Sequence, residues 1–305
     1  MDVAIRTDRL TKRYNGRAVV DTLTFEVPKG SIYGFLGPNG AGKTTTFAML
    51  CGFIRPASGS AEVLGQPLSN LPRDRMAALP QDARFHPERT LEDSLRFMAE
   101  LQGLPADRAR SETDRVLAAV DLNEARKVRG KALSHGMAKR FGIAQAFLGS
   151  PELVLLDEPT EGLDPRNAHT VRQMIRTMAG RATVLVSSHN LTEVQDLCDH
   201  AAIIDHGRLV AQSSIAEMTG QDQQVLIRLG RTASGSLVTL KACPRVAAVN
   251  ASPDGLTLRV SLRVRQGDTV EEAITEALAA LLQSGATVGS VIRGHSLEER
   301  FLELT

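Results

Sequence analysis

The sequence predicts an α/β fold built on a parallel sheet, with an antiparallel β set before it, a helical lobe inserted into it and a small α+β domain after it. Three observations carry this expectation. From Val3 to about Gly220, short β-branched runs alternate with helical patterns, as parallel strands joined by crossover helices do. The runs "SIYGFLG" (31–37), "LVLLD" (153–157), "ATVLVSS" (182–188) and "AAIIDHG" (201–207) are almost continuously apolar, which suits strands covered on both faces. After "GQDQQ" (220–224) the pattern becomes strand, helix, strand, strand, helix, strand, the βαββαβ order of a ferredoxin-like module.

Taken in order, residues 1–30 hold "AIRTDRLTKRY" and "LTFEVPKG", an antiparallel set turned by Pro28 and Gly30. Between Leu91 and Gly130, "TLEDSLRFMAELQGL" and "ADRARSETDRVLAAVDL" carry apolar residues at three-to-four spacing with acidic residues near their starts. These are helices, and the lobe they begin spans about 91–150. The first domain is then 1–220 and the C-terminal accessory domain 221–305. The latter is expected to hold a strand at 225–229, a helix near 234–242, strands at 246–250 and 256–263, a helix at 269–284 and a strand at 287–292. A last helix is expected from Ser296, with Glu299 completing a capping box.

A chain of 305 residues suits one large and one small domain. Its 36 Lys+Arg against 35 Asp+Glu leave a formal net charge of +1, so no overall field favours nucleic acid or an anionic membrane. Any anion site must be local. "MDVAIRTDRL" lacks an apolar leader core, and no run approaches the ~18 apolar residues of a membrane helix, so a cytoplasmic chain is expected. Cys51, Cys198 and Cys243 are scattered without metal-ligand spacing and are expected to be reduced, mostly buried thiols.

"GPNGAGKT", Gly37 to Thr44, fits the phosphate-loop pattern G-x-x-x-x-G-K-[ST] between a β run and the helical "TTFAMLCG". Several backbone N–H groups must converge on phosphate oxygens, and only a glycine-rich loop permits this sterically. The loop comprises Gly37, Pro38, Asn39, Gly40, Ala41, Gly42, Lys43 and Thr44, followed by Thr45. Lys43 supplies a full positive charge, the helix start a partial one, and the Thr44 hydroxyl a ligand for Mg²⁺. The alternative, a glycine-rich turn with an exposed lysine, does not use the strand and helix that flank it. "LVLLDEP" places Asp157 and Glu158 at the end of a buried strand, the edge where ligands bind in parallel sheets. Alone such a pair is a helix cap or a turn. Beside a phosphate loop, Asp157 becomes the outer Mg²⁺ ligand and Glu158 the base for water attacking the γ-phosphorus.

With these motifs in place the chain resembles the nucleotide-binding subunits of ABC transporters, a P-loop ATPase fold, over nearly its whole length. Tyr14 in "KRYNG" lies where that family stacks an aromatic residue on adenine. Gln81 in "ALPQD" resembles the glutamine that bridges Mg²⁺ or water to the transmembrane partner. "LSHGM", Leu133 to Met137, lies where the family has LSGGQ; "EGLDP", with Asp164, resembles the D-loop, and His189 in "VSSHN" the switch histidine. Singly, Tyr14 is a strand-edge aromatic, Gln81 a surface amide, His189 a structural histidine and Asp164 a helix cap; it is their order that carries the resemblance. "GFIRPASGSAEVLG" (52–65), "HSLEERFLELT" (295–305) and the C-terminal extension are similar to subunits of ABC-2 type exporters, among them drug-efflux, sodium-efflux and copper-site assembly systems.

The resemblance implies an ATPase that binds ATP and Mg²⁺, pairs head to tail with a second nucleotide-binding subunit, in all expectation an identical one, and powers transmembrane permease subunits from the cytoplasmic face of the inner membrane. Gln81 then joins Thr44 and Asp157 at the metal, and Glu158, His189 and Gln81 form the catalytic set. Ser134 and the Gly136 N–H would reach the γ-phosphate held by the partner's loop, from a helix expected to start near Ala138. His135 and Met137 depart from LSGGQ. A positive φ at 135 would cost a non-glycine residue of order 1 kcal/mol or more, so none is expected there, and a slower ATPase is. His135 has the further reading of a pH-sensitive element. The competing functions are a soluble ABC ATPase acting on nucleic acid or the ribosome, and a nucleotide-gated regulatory subunit. The near-zero charge, single motif set and lack of a heptad run speak against the former, and no nucleic-acid partner is expected. Intact Lys43, Asp157, Glu158 and His189 speak against the latter.

Overall fold

A computed structural model of the chain describes residues 2–180, 182–220, 224–231, 235–264, 269–294 and 297–304. They divide into two compact units, through Gln212 and from Ser213. The division lies ahead of residue 220, where the sequence pattern changes.

In the first unit, β1 (Val3–Tyr14), β2 (Arg17–Leu23) and β3 (Glu26–Pro28) form antiparallel pairs. β4 (Ile32–Leu36) enters the central sheet and leads through the glycine-rich loop to α1 (Lys43–Leu50). β5 (Ser58–Val63) and β6 (Gln66–Pro67) return to the antiparallel sheet, whose order is β2-β1-β5-β6 with β3 beside β1. β7 (Met76–Leu79) opens the helical lobe of α2 (Leu91–Leu101), α3 (Ala106–Ala119) and α4 (His135–Ala146). The chain then runs through β8 (Leu153–Asp157), α5 (Pro165–Ala179), β9 (Thr183–Ser188), α6 (Leu191–Leu197), β10 (His200–Asp205) and β11 (Arg208–Ser214).

The central sheet has the order β11-β10-β4-β9-β8-β7. β8 and β9 are buried along their whole length, as their unbroken apolar runs require. Register matters more than order. β4, β9, β8 and β7 are parallel, with Leu36 opposite Ser188, Asp157 opposite Ser187 and Leu79 opposite Leu156. The strands therefore end together, and the residues that follow them emerge on one edge. Phe25 bridges the two sheets, its ring 5.1 Å from that of Phe35, within a core that also takes in Ile5, Val63, Met49 and Leu155.

The second unit holds α7 (Ile215–Met218), β12 (Gln224–Arg231), α8 (Ser236–Ala242), β13 (Val246–Ala251), β14 (Thr257–Leu262), α9 (Val270–Gln283), β15 (Thr287–Arg293) and α10 (Leu297–Leu304). Its strands form an antiparallel sheet of order β13-β14-β12-β15. Alternate residues, Val225, Ile227 and Leu229 on β12 and Leu258, Val260 and Leu262 on β14, turn to a core shared with Leu240 of α8 and Ala273, Ala277 and Leu281 of α9. Thr269 and Glu272 make a full capping box at the start of α9. The capping box expected at Ser296 lies outside the described residues. All three cysteines are buried free thiols.

The helical lobe is pinned at Glu92, a buried residue in the first turn of α2. Its carboxylate lies 2.7 Å from Lys127 Nζ, 3.1 Å from Arg96 Nη2 and 3.4 Å from Arg126 Nε, tying α2 to the segment after α3. The Lys127 hydrogen bond and the two guanidinium charges hold Glu92 below the ordinary value of 4.5. A carboxylate lowered by folding stabilises fully above that value and loses its contribution as pH falls through its folded pKa. Glu92→Gln should lower the melting temperature by a few degrees near pH 7, with the deficit vanishing in acid, as thermal scans of both proteins across pH would record.

Candidate active site

The glycine-rich loop runs from the end of β4 to the start of α1. Gly42 is the N-cap of α1 with φ 101°, and a Cβ there would stand 2.7 Å from the Val19 carbonyl oxygen, so both conformation and space demand glycine. No side chain caps α1. Its first N–H groups remain available to an anion, and the helix dipole points the same way. Lys43 folds back, donating from Nζ to the carbonyls of Gly37 at 2.7 Å and Pro38 at 3.3 Å. The loop opens on a cavity of about 310 Å³ lined by Asn39, Gly40, Gly42, Lys43, Thr44 and Thr45, and across from them by Gln81, Glu158 and Glu161.

Strand register places two acidic groups here: Glu158 lines this cavity, and Asp157 lies beside it in the chain, bonded to Thr44 of the lining. Asp157, the last residue of β8, accepts a 2.5 Å hydrogen bond from Ser187 Oγ on β9. Burial pushes its carboxyl up, while the hydroxyls of Ser187 and Thr44, both bonded to it, act in the opposite sense. Glu158, one residue on, is held at φ 48°, a strained conformation for a non-glycine residue. Its N–H donates to the same Ser187 Oγ at 2.9 Å. Its carboxylate lies between two cationic or polarisable groups, with Oε1 3.2 Å from Lys43 Nζ and Oε2 3.1 Å from His189 Nδ1. The Lys43 and Glu158 side chains are each only 6% exposed, so neither charge has water to replace the other.

This arrangement can hold a phosphate chain against Lys43 and the α1 N-terminus, with a carboxylate poised beside it. The comparisons with known proteins agree. A family model described as ABC transporter matches residues 20–161. The chain is 36% identical to the daunorubicin/doxorubicin resistance ATP-binding protein DrrA of Streptomyces peucetius, over 99% of this chain and 92% of that protein. The chain belongs to the ATP-binding proteins of ABC transporters. It is also 38% identical to the bacitracin transport ATP-binding protein BcrA of Bacillus licheniformis, over 74% of each chain. Among solved structures, an ATP-binding subunit of an ABC transporter superposes with TM-score 0.65 at 29% identity, over 72% of this chain and 92% of that one. As a member of this family the chain binds and hydrolyses ATP.

The other residues singled out in the sequence of this ABC protein fall in three places. Gln81, two residues past β7, lines the cavity and donates from Nε2 to Glu161 Oε2 at 2.5 Å. Tyr14 ends β1, 47% exposed as a residue and with Lys12 Nζ 5.3 Å from its ring centroid, outside the phosphate cavity lining. Ser134, Gly136 and Asp164 also lie outside the cavity lining. Asp164 caps α5, its Oδ1 accepting from Arg166 N and Asn167 N. The helix expected near Ala138 begins at His135 instead. Ser134 Oγ accepts from Met137 N at 3.2 Å and so acts as N-cap, which draws His135, Gly136 and Met137 into the first turn. His135 is therefore helical, and it is absent from the positive-φ positions.

Sequence reasoning missed Ser187, Lys139 and Glu161. Ser187 joins Asp157 to Glu158, and Lys139 Nζ donates to the Glu158 carbonyl at 3.2 Å. The available signal for Ser187 was a hydroxyl one residue inside the end of a buried apolar strand. Replacing Ser187 with Ala removes one partner from each of two buried groups, one of them charged. The variant should lose about 1.5–3 kcal/mol of unfolding free energy in a urea titration, and its ATPase rate should fall with it.

Proposed function

We propose that this chain is the ATP-hydrolysing subunit of an ABC-2 type membrane exporter, and that it works as a head-to-tail homodimer bound to permease subunits on the cytoplasmic face of the cell membrane. One observation carries the hydrolytic reading: Glu158, a buried carboxylate held between Lys43 and His189 at the phosphate cavity. ATP entry exchanges the Lys43–Glu158 pair for a Lys43–phosphate pair. Glu158, released from the ammonium but still aligned by His189, takes a proton from the attacking water. The water oxygen bonds to the γ-phosphorus, the bond to the bridging oxygen breaks, and ADP leaves with that oxygen.

Mg²⁺ fits the donors that remain. Thr44 and Asp157 adjoin, and Gln81, whose amide oxygen is a suitable donor, lines the cavity that also holds Thr44. So small a protein set suits an ion that keeps water and phosphate ligands. Among the described residues no group of three or more His, Cys, Asp and Glu gathers to hold a metal, consistent with an ion carried in by the nucleotide. When bound, the ion would offset charge on the phosphate oxygens.

The dimer is supported by where the signature lies. Ser134 and Gly136 head a helix whose positive end is not part of this chain's own phosphate cavity, so they are assigned to the γ-phosphate of a second copy. Tyr14 is assigned to the adenine. No helix among the described residues is long and apolar enough to cross a membrane, so the translocation path is assigned to the permease. The names of the relatives, drug resistance and bacitracin transport, support export. The C-terminal unit is assigned as a ferredoxin-like accessory domain on its βαββαβ order and its β13-β14-β12-β15 sheet.

Glu158→Gln should cut the ATPase rate about 100-fold or more while retaining ATP, and should run as an ATP-dependent dimer in size-exclusion chromatography with light scattering. Unimpaired turnover would overturn the assigned base. Ser134→Arg should bind ATP as a monomer; dimerisation and native turnover by it would overturn the head-to-tail arrangement.

A further inference from the structure

His135 stands where the family pattern has a glycine, and the structure gives its side chain a specific contact. Nε2 lies 3.3 Å from the carbonyl oxygen of Glu161. A carbonyl only accepts, so Nε2 carries the proton and the imidazole is the donor. The ring rests against Gly162, where a Cβ would come within 3.0 Å of Nε2 and where φ is 75°. A side chain at 162 would push the imidazole away. The fit is thus made from both sides, by a ring at 135 and the lack of one at 162.

Glu161 is also the residue that holds Gln81, through the 2.5 Å bond between Gln81 Nε2 and Oε2. Gln81 and Glu161 both line the phosphate cavity with Lys43 and Glu158. Both also line a larger cavity of about 660 Å³, together with His135 and Lys139. Lys139 lies one turn along α4 from His135, on the same face, and grips the Glu158 carbonyl. The start of α4 therefore holds the segment 158–162 at two points, one at the assigned base and one at the residue that fixes Gln81. With glycine at 135 the second hold has no donor.

We propose that His135 is a positioning residue for ATP hydrolysis: through Glu161 it fixes Gln81 at the phosphate cavity of its own chain, linking the signature turn of α4 to that chain's hydrolytic site. The inference rests on the assignment of Gln81 to the catalytic set. It acts on the orientation of a group that serves the reacting phosphate rather than on nucleotide affinity, so its mark is on kcat and not on KM.

The test is a double-mutant cycle on the full-length protein, with steady-state MgATP hydrolysis as the readout. His135→Ala should lower kcat about three- to tenfold with KM for ATP unchanged within about twofold, the size expected of residues coupled through one contact chain. His135→Gln, which keeps an N–H donor near the position of Nε2, should recover most of that loss. In a Gln81→Ala background, His135→Ala should cost nothing further. Native turnover by Gln81→Ala would overturn the assignment of Gln81 and this inference with it. A slowed Gln81→Ala on which the His135→Ala loss multiplies in full would overturn the coupling alone. So would a His135→Ala effect confined to KM, or a His135→Gln variant no faster than the alanine one.

Discussion

The site depends on one constraint, that four parallel strands end in register. Leu36 lies opposite Ser188, Asp157 opposite Ser187 and Leu79 opposite Leu156. Each strand is followed by a residue assigned to the proposed chemistry: the glycine-rich loop after β4, Glu158 after β8, His189 after β9 and Gln81 shortly after β7. Slipping one strand by one residue would turn its side chains to the opposite face and withdraw its contribution. The apolar burial of β8 and β9 is therefore what sets the geometry of the carboxylates as well as what stabilises the sheet.

On that edge the electrostatics are arranged for exchange. Lys43 and Glu158 neutralise each other out of water, and removing either alone leaves a buried charge without compensation. In the proposed mechanism a triphosphate supplies the substitute, with more negative charge than one carboxylate and with the α1 N–H groups to receive it. In that mechanism the same entry frees Glu158 to act. The strained backbone at Glu158 is tolerated because Ser187 holds its N–H and Lys139 its carbonyl, so the conformation is over-determined from two elements.

The segment 158–164 is the place where these elements meet. Its first residue is the assigned base and its last caps α5, and between them Glu161 takes Gln81 on one side and His135 on the other. This short loop is thus held by β7, β9 and α4 together, through Gln81, Ser187, Lys139 and His135.

Much of this was legible in the sequence because local pattern suffices for it. The phosphate loop is contiguous, the buried strands are unbroken apolar runs, and the run "LVLLD" by itself marks β8 at Leu153–Asp157. The capping roles at the start of α4 were less legible: Ser134 in "LSHGM" gave no sign that its hydroxyl would bond to Met137 and start the helix at His135 rather than near Ala138. The contacts of Ser187, Lys139 and Glu161 are not legible in the sequence, since each acts on a residue between 19 and 80 positions away in the chain. The sequence alone thus determined an ATP-binding fold and the phosphate-loop pattern expected to hold the nucleotide, because those groups lie next to one another in contiguous motifs. Only the tertiary structure decided that Glu158 is shared by Lys43 and His189 and that His135 reaches Gln81 through Glu161. Those contacts are set by strand register and by the seating of α4 against the 158–162 segment, neither of which any single stretch of sequence encodes.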